Sequence, residues 1–259
     1  MDLGLSNKTA LILGASSGLG FAIAKCLAEE GAQVVLGARQ TERLDKALAL
    51  VKQSNQTATA LPIDLQNSAT MEAAEQAIRK LTPDILICNS GGPPPGGAID
   101  SDLDKWRLQF EAMVINQIRC IRAALPHMLE KKWGRILVLA SSGVVAPIPN
   151  LVISNSLRSA LVSFAKTLAA EVANSGVTVN TIVPGRIATP RVAQLDQAAS
   201  EREKTDVASV KQRSVLTIPA GRYGEPGEFA SVAAFMVSER AGYVTGQMTR
   251  VDGGFIRSI

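Results

Sequence analysis

Gly14-Ala-Ser-Ser-Gly18-Leu-Gly20 is the stretch on which the fold turns. It follows directly on the apolar run Thr9–Leu13 and leads into an amphipathic stretch, Gly20–Glu30. A glycine turn between a buried strand and a helix presents free backbone N–H groups and the positive end of a helix dipole to a phosphate. Gly14 allows a tight turn, Gly18 lets the backbone approach a pyrophosphate, and Gly20 lets the helix pack closely on the strand. Ser16, Ser17 and Leu19 complete the loop. The spacing is GxxxGxG rather than GxGxxG, so the position between strand and helix carries the reading more than the glycines themselves.

Outward from this loop the pattern repeats. Short Val/Ile/Leu-rich runs lie at Thr9–Leu13, Gln33–Leu36, Ala58–Pro62, Ile85–Cys88, Ile136–Leu139, Thr178–Val183 and Met248–Val251. Continuous apolar runs of this length suit strands buried on both faces of a parallel sheet. Helical patterns separate them at Gly20–Glu30, Thr41–Lys52, Ser68–Lys80, Trp106–Lys131, Ser154–Ser175 and Glu228–Ser238. Strand–helix alternation predicts an α/β fold, a doubly wound parallel seven-stranded sheet with helices on both faces. No repeat or linker divides the chain, so residues 1–259 are expected to form one domain. The polar, mixed-charge segment at about 186–225 is expected to be a substrate lid.

Composition excludes several classes. With 27 Lys and Arg against 23 Asp and Glu, the net charge is only +4 and no basic block stands out, so nucleic acid is not an expected partner. The three cysteines lie far apart without CxxC spacing, which speaks against a disulfide frame or a metal site and for reduced thiols in the cytoplasm. No basic leader or bilayer-length apolar run is seen, so no membrane association is expected.

The second strand ends Val34-Val-Leu-Gly-Ala38-Arg39. An acid about 20 residues past the glycines would hold the 2′-hydroxyl of NAD, whereas an arginine accommodates a 2′-phosphate. Ala38 and Arg39 occupy this place, which favours NADP(H) over NAD(H).

These motifs together resemble the short-chain dehydrogenase/reductase family, in particular its 3-oxoacyl-[acyl-carrier-protein] reductases, and the resemblance covers nearly the whole chain. Asp64, with Leu65 beside it, matches the family's adenine-contacting acid, and Asn89-Ser-Gly91-Gly is similar to its Asn-Asn-Ala-Gly stretch. Asn116 matches the helix asparagine of the catalytic group. The segment holding Pro184, Gly185, Ile187 and Thr189 matches the one that grips the nicotinamide carboxamide. Arg222-Tyr-Gly-Glu-Pro226 and Val251-Asp-Gly-Gly254 match the C-terminal signature. The resemblance implies a Rossmann fold, NADP(H)-dependent chemistry on a small carbonyl substrate and a homotetramer.

One motif departs from the pattern. The resemblance implies a Tyr-xxx-Lys pair after the fifth strand, where tyrosine exchanges the proton and lysine lowers its pKa. Here Ser154 falls at the tyrosine position and Arg158 at the lysine, with Ser141 or Ser142 as the preceding serine. An aliphatic hydroxyl is a poor acid, and arginine polarises but does not readily shuttle protons. Two readings follow. Either the chain reduces a ketone, a 3-oxoacyl thioester among the candidates, through Asn116, Ser141 or Ser142, Ser154 and Arg158, or it binds NADP(H) without turnover as a sensor or interaction module. Arg186 and Arg191, at the base of the lid, are read as solvated charges able to draw in an anion. The glycine- and proline-rich loop 91–97 reads as a rigid turn or a pocket wall.

Overall fold

The computed structural model describes residues 1–258. Seven strands, β1 (Thr9–Leu13), β2 (Gln33–Ala38), β3 (Thr59–Pro62), β4 (Ile85–Cys88), β5 (Gly134–Leu139), β6 (Val177–Pro184) and β7 (Met248–Val251), form one sheet in the order β3-β2-β1-β4-β5-β6-β7. Every pairing is parallel. The strand order reverses between β1 and β4, and in such sheets ligands bind outside the strand C-termini at this point.

Alternation along β1 sorts its side chains between two cores. Ile12 joins the cluster formed with Ile23 and Leu27 of α1 (Gly18–Glu29), Leu44 of α2 (Glu42–Lys52) and Phe229 of α9 (Pro226–Met236). Leu11 and Leu13 join the opposite cluster, with Ile78 of α3 (Met71–Leu81), Cys120 of α5 (Asn116–Lys131) and Leu161 of α6 (Val152–Val172). Helices therefore cover both faces. The expectation of strands buried on both faces fits the inner ones but not β3 and β7, which are partly exposed because they are the sheet's edges.

Two further departures concern the site. The long helix expected at Trp106–Lys131 begins earlier, as α4 (Leu103–Phe110), and passes through a π turn at Glu111–Ile115 before α5. This turn packs Met113 and Val114 against Ile153 and Leu157 of α6. The segment expected as a lid, for which no helix is singled out, contains α7 (Pro190–Glu203) and α8 (Val207–Leu216). Their starts carry ordinary signals: Thr189 caps α7 with Pro190 at its first position, and Asp206 caps α8.

Candidate active site

The glycine loop leaves β1 with Gly14 at φ +64° and enters α1 with Gly18 at φ +59°. A Cβ on Gly14 would lie 2.6 Å from Asn89 Nδ2, and one on Gly20 2.4 Å from the Gly14 carbonyl oxygen. Asn89 Nδ2 donates to that same oxygen at 3.4 Å, tying the end of β4 to the loop. Ser17 precedes α1 without a side-chain cap, and no acid stands in the first turn. The first-turn N–H groups, beside Ser16 and Leu19, thus lack a side-chain acceptor, and a cradle that side chains would fill stands before them. This arrangement fits a pyrophosphate.

Other residues expected to face a dinucleotide lie in the segments that follow β2, β3, β4 and β6. Arg39 follows β2 and is exposed; Gly91 is exposed, with open space where a Cβ would stand. Asp64 is half-buried, its carboxylate accepting the Gln66 N–H at 3.0 Å. Gly185 packs so closely on the end of β7 that a Cβ would lie 2.6 Å from Asp252 Cα, and its N–H donates to Val251. Pro184 precedes it, Ile187 is buried in a bridge to Gly224, and Thr189 comes within 3.8 Å of where a Gly18 Cβ would sit. Segments far apart in sequence, after β1, β2, β4 and β6, therefore meet along one edge of the sheet.

Asn116 makes contacts of its own. Fully buried just after the π turn, it donates through Nδ2 to the Leu65 carbonyl at 2.9 Å and to Ser68 Oγ at 3.3 Å. Its side chain braces the connection after β3 and forms no hydrogen bond with Ser154 or Arg158.

Those two residues meet one helical turn apart on α6. Arg158 Nε donates to Ser154 Oγ at 3.3 Å, Nη1 to the Leu139 carbonyl at 2.9 Å and Nη2 to the Ser90 carbonyl at 3.5 Å. The guanidinium thus spans the C-terminal ends of β4 and β5. Burial, with a smaller contribution from Arg191, holds its pKa down to about 10, so it remains charged at neutral pH. Ser141 is half-exposed and its Oγ accepts the Gly143 N–H at 3.2 Å, whereas Ser142 is buried. Neither tyrosine forms a hydrogen bond with Ser154 or Arg158. Tyr223 is buried and donates to Asp196 at 3.0 Å, and Tyr243 is fully exposed after the short helical turn that follows α9.

Arg186 and Arg191 differ from the solvated pair expected. Arg186 Nη1 pairs at 2.9 Å with Asp196, a buried acid that also accepts from Tyr223. Arg191 turns inward and donates to the Pro93 carbonyl at 2.6 Å. No local sequence pattern points to a partner for either, because each partner lies on another element. Among the described residues no group of three His, Cys, Asp or Glu could hold a metal, and no helix is long and apolar enough to cross a membrane.

A family model described as enoyl-(acyl carrier protein) reductase matches residues 14–256. Among curated proteins, the chain is 34% identical to the 3-oxoacyl-[acyl-carrier-protein] reductase FabG of Rickettsia prowazekii, over 97% of this chain and 98% of that one. It is 31% identical to an uncharacterized oxidoreductase, YvaG, of Bacillus subtilis, over 100% of both. Among solved structures, L-sorbose reductase from Gluconobacter frateurii, complexed with NADPH and L-sorbose, superposes with a TM-score of 0.93 at 33% identity, covering 100% of both chains. An actinorhodin polyketide ketoreductase with NADPH gives 0.90 at 30% identity, over 96% of this chain and 97% of that one.

Proposed function

Because the chain belongs to the short-chain dehydrogenase/reductase family, we propose that it is an NADP(H)-dependent oxidoreductase interconverting a ketone and a secondary alcohol through a serine–arginine site. The observation that carries this reading is the Arg158–Ser154 contact at the C-terminal ends of β4 and β5, beside the phosphate cradle. The similar structures bound to NADPH support the cofactor.

The dinucleotide, when bound, supplies or accepts a hydride. Gly14, Ser16, Ser17, Gly18, Leu19 and Gly20 would hold its pyrophosphate, Arg39 the 2′-phosphate, and Asp64 and Leu65 the adenine. Asn89 and Gly91 would line its path toward the nicotinamide, whose carboxamide would rest on Pro184, Gly185, Ile187 and Thr189.

The chain's own groups act on the substrate oxygen. Since Arg158 donates to Ser154 Oγ, the serine's own O–H is left to donate to a carbonyl. Ser141, the more exposed of the two candidate serines, has an Oγ that already accepts from Gly143, which leaves its O–H as a second donor. Two positioned hydroxyls beside a guanidinium stabilise negative charge developing on that oxygen. Neither hydroxyl is acidic enough to give up its proton outright, so the proton that completes the alcohol comes from water. A positioned acid typically contributes about 10²–10⁴-fold, so turnover is slower than with a phenol but not abolished. Asn116 serves as a brace for the adenine side. A cytoplasmic homotetramer, packed through α5 and α6, and the lid at about 186–225 of a single domain belong to the same proposal, as does a 3-oxoacyl thioester among the ketones.

The test is a calorimetric titration with NADPH and NADH, followed by NADPH oxidation against a panel of ketones and 3-oxoacyl thioesters. Preferential NADPH binding with turnover that falls in Arg158→Ala supports the enzyme. Tight NADPH binding without turnover on any member assigns the chain the role of a nucleotide-binding sensor or interaction module instead.

A further inference from the structure

Arg158 and Arg191 lean on the same short stretch of backbone. Arg158 Nη2 reaches the Ser90 carbonyl at 3.5 Å, and Arg191 Nη2 reaches the Pro93 carbonyl at 2.6 Å. Three residues of chain span at most about 10 Å, so the two guanidinium groups bracket one short stretch from its two ends, near enough for the charge of Arg191 to act on Arg158. A Cβ on Gly92 would lie 2.9 Å from Arg191 Nε, so glycine leaves room for that arginine.

Neither cation has an acidic partner among the described residues. Among the described residues no carboxylate lies within 4.0 Å of either, whereas Arg186 is paired with Asp196 and Arg222 with Glu228. Burial lowers the pKa of both, and Arg191 adds to the effect at Arg158. Arg191 is also the second residue of α7, where the helix dipole already favours negative charge, and no acid occupies that first turn. Two like charges withdrawn from water without a counter-charge are unfavourable and gain most from an anion placed between them. Each guanidinium carries five N–H donors, and the protein accepts from only some of them. Ser90 Oγ, on the stretch they share, is buried without a hydrogen-bond partner.

We infer that Arg191, backed by Arg158, is an anion clamp, and that the substrate is a carbonyl compound bearing a carboxylate or a phosphate ester. This rests on the reading of Ser154 and Arg158 as the groups that polarise the carbonyl. The planar fork of Arg191 would take the charged group bidentately while the ketone oxygen meets Ser154. Loop 91–97, pinned to Arg191 at Pro93 and bridged at Gly96 to Leu151, then forms the wall between the two ends of the substrate.

The test uses the full chain loaded with NADP⁺ and two matched pairs of probes, levulinate with levulinamide and dihydroxyacetone phosphate with dihydroxyacetone, titrated by calorimetry. The charged member of at least one pair is expected to bind at least about tenfold more tightly, and the pair that shows it tells carboxylate from phosphate. Arg191→Gln is expected to erase the difference while NADPH affinity stays within about twofold, and Arg191→Lys to restore part of it. Equal affinities for charged and neutral members in the unaltered protein would overturn the clamp. So would an Arg191→Gln variant that loses NADPH and neutral ketones alike, which would assign Arg191 to the dinucleotide phosphates. NADPH oxidation measured in parallel separates the two proposals. Anion-selective binding without any turnover sinks the reductase and leaves the clamp, and turnover indifferent to charge does the reverse.

Discussion

Replacing Gly20 with alanine tests the phosphate cradle through a clash whose size the structure supplies. The new Cβ would stand 2.4 Å from the Gly14 carbonyl oxygen and 2.9 Å from Asn89 Nδ2. Ordinary contact begins near 3.4 Å, so α1 or the Gly14 peptide must retreat by about 1 Å. The obstacle is backbone, so no rotamer relieves it. Overpacking of this kind costs about 1–3 kcal/mol, against which alanine's better helix propensity returns at most about 1 kcal/mol. A net loss of about 2 kcal/mol, the upper cost less the full return, lowers Tm by about 4–8 °C in a chain of this size. The same displacement misaligns the first-turn N–H groups, so NADPH affinity is expected to fall at least about tenfold. Differential scanning calorimetry and an NADPH titration read both effects. A Gly20→Ala variant with unchanged Tm and unchanged NADPH affinity would overturn this reading of the cradle, because the close approach would then have no consequence.

Other consequences follow from charge and pairing. Ala38→Asp would place a carboxylate beside Arg39, worth roughly 1–4 kcal/mol of repulsion toward a 2′-phosphate, so the NADPH-over-NADH preference should drop at least about tenfold in paired titrations. Asp196→Ala removes the acceptor of both Arg186 and Tyr223; the acid is buried but Arg186 is a third exposed, so a loss of about 1–3 kcal/mol is expected in urea unfolding, with faster proteolysis within α7 and α8. If Ser154 takes the place of a phenol as proposed, the reduction rate should be level from about pH 6 to 9. Arg158, lowered to about 10, keeps its charge throughout that range and loses it only as pH rises through 10, while Cys120 is pushed up to about 12 by burial. A limb near neutrality would point to another proton donor.

Most of the sheet was legible because strands such as β1, β4 and β5 contain short apolar runs bounded by glycine or polar residues, and strand-length runs leave little choice of register. The run Ile136–Leu139, for instance, extends in the structure only to Gly134. What escaped were elements whose faces are not apolar. In α7 only Asp196 and Ser200 are buried, so hydrophobic periodicity carries no signal there and only the Thr189-Pro190 start betrays the helix. The π turn before Asn116 is equally silent, since the apolar pattern runs through it unbroken. At the site, spacing on one helix was enough to bring Ser154 and Arg158 together. The destinations of Asn116 and Arg191 depend on Leu65 and Pro93, which the sheet places beside them and which no local pattern indicates.

Hydride transfer from the dinucleotide to a ketone leaves a signature that isotope labelling can follow. NADPH deuterated at the nicotinamide carbon is incubated with the protein and the ketone panel, and the alcohols are analysed by mass spectrometry. One deuterium is expected on the carbinol carbon, with a rate that falls about 10²–10³-fold in Ser154→Ala as a preorganised donor is lost. Saturating NADPH with no deuterated alcohol from any member of the panel would contradict hydride transfer at this site.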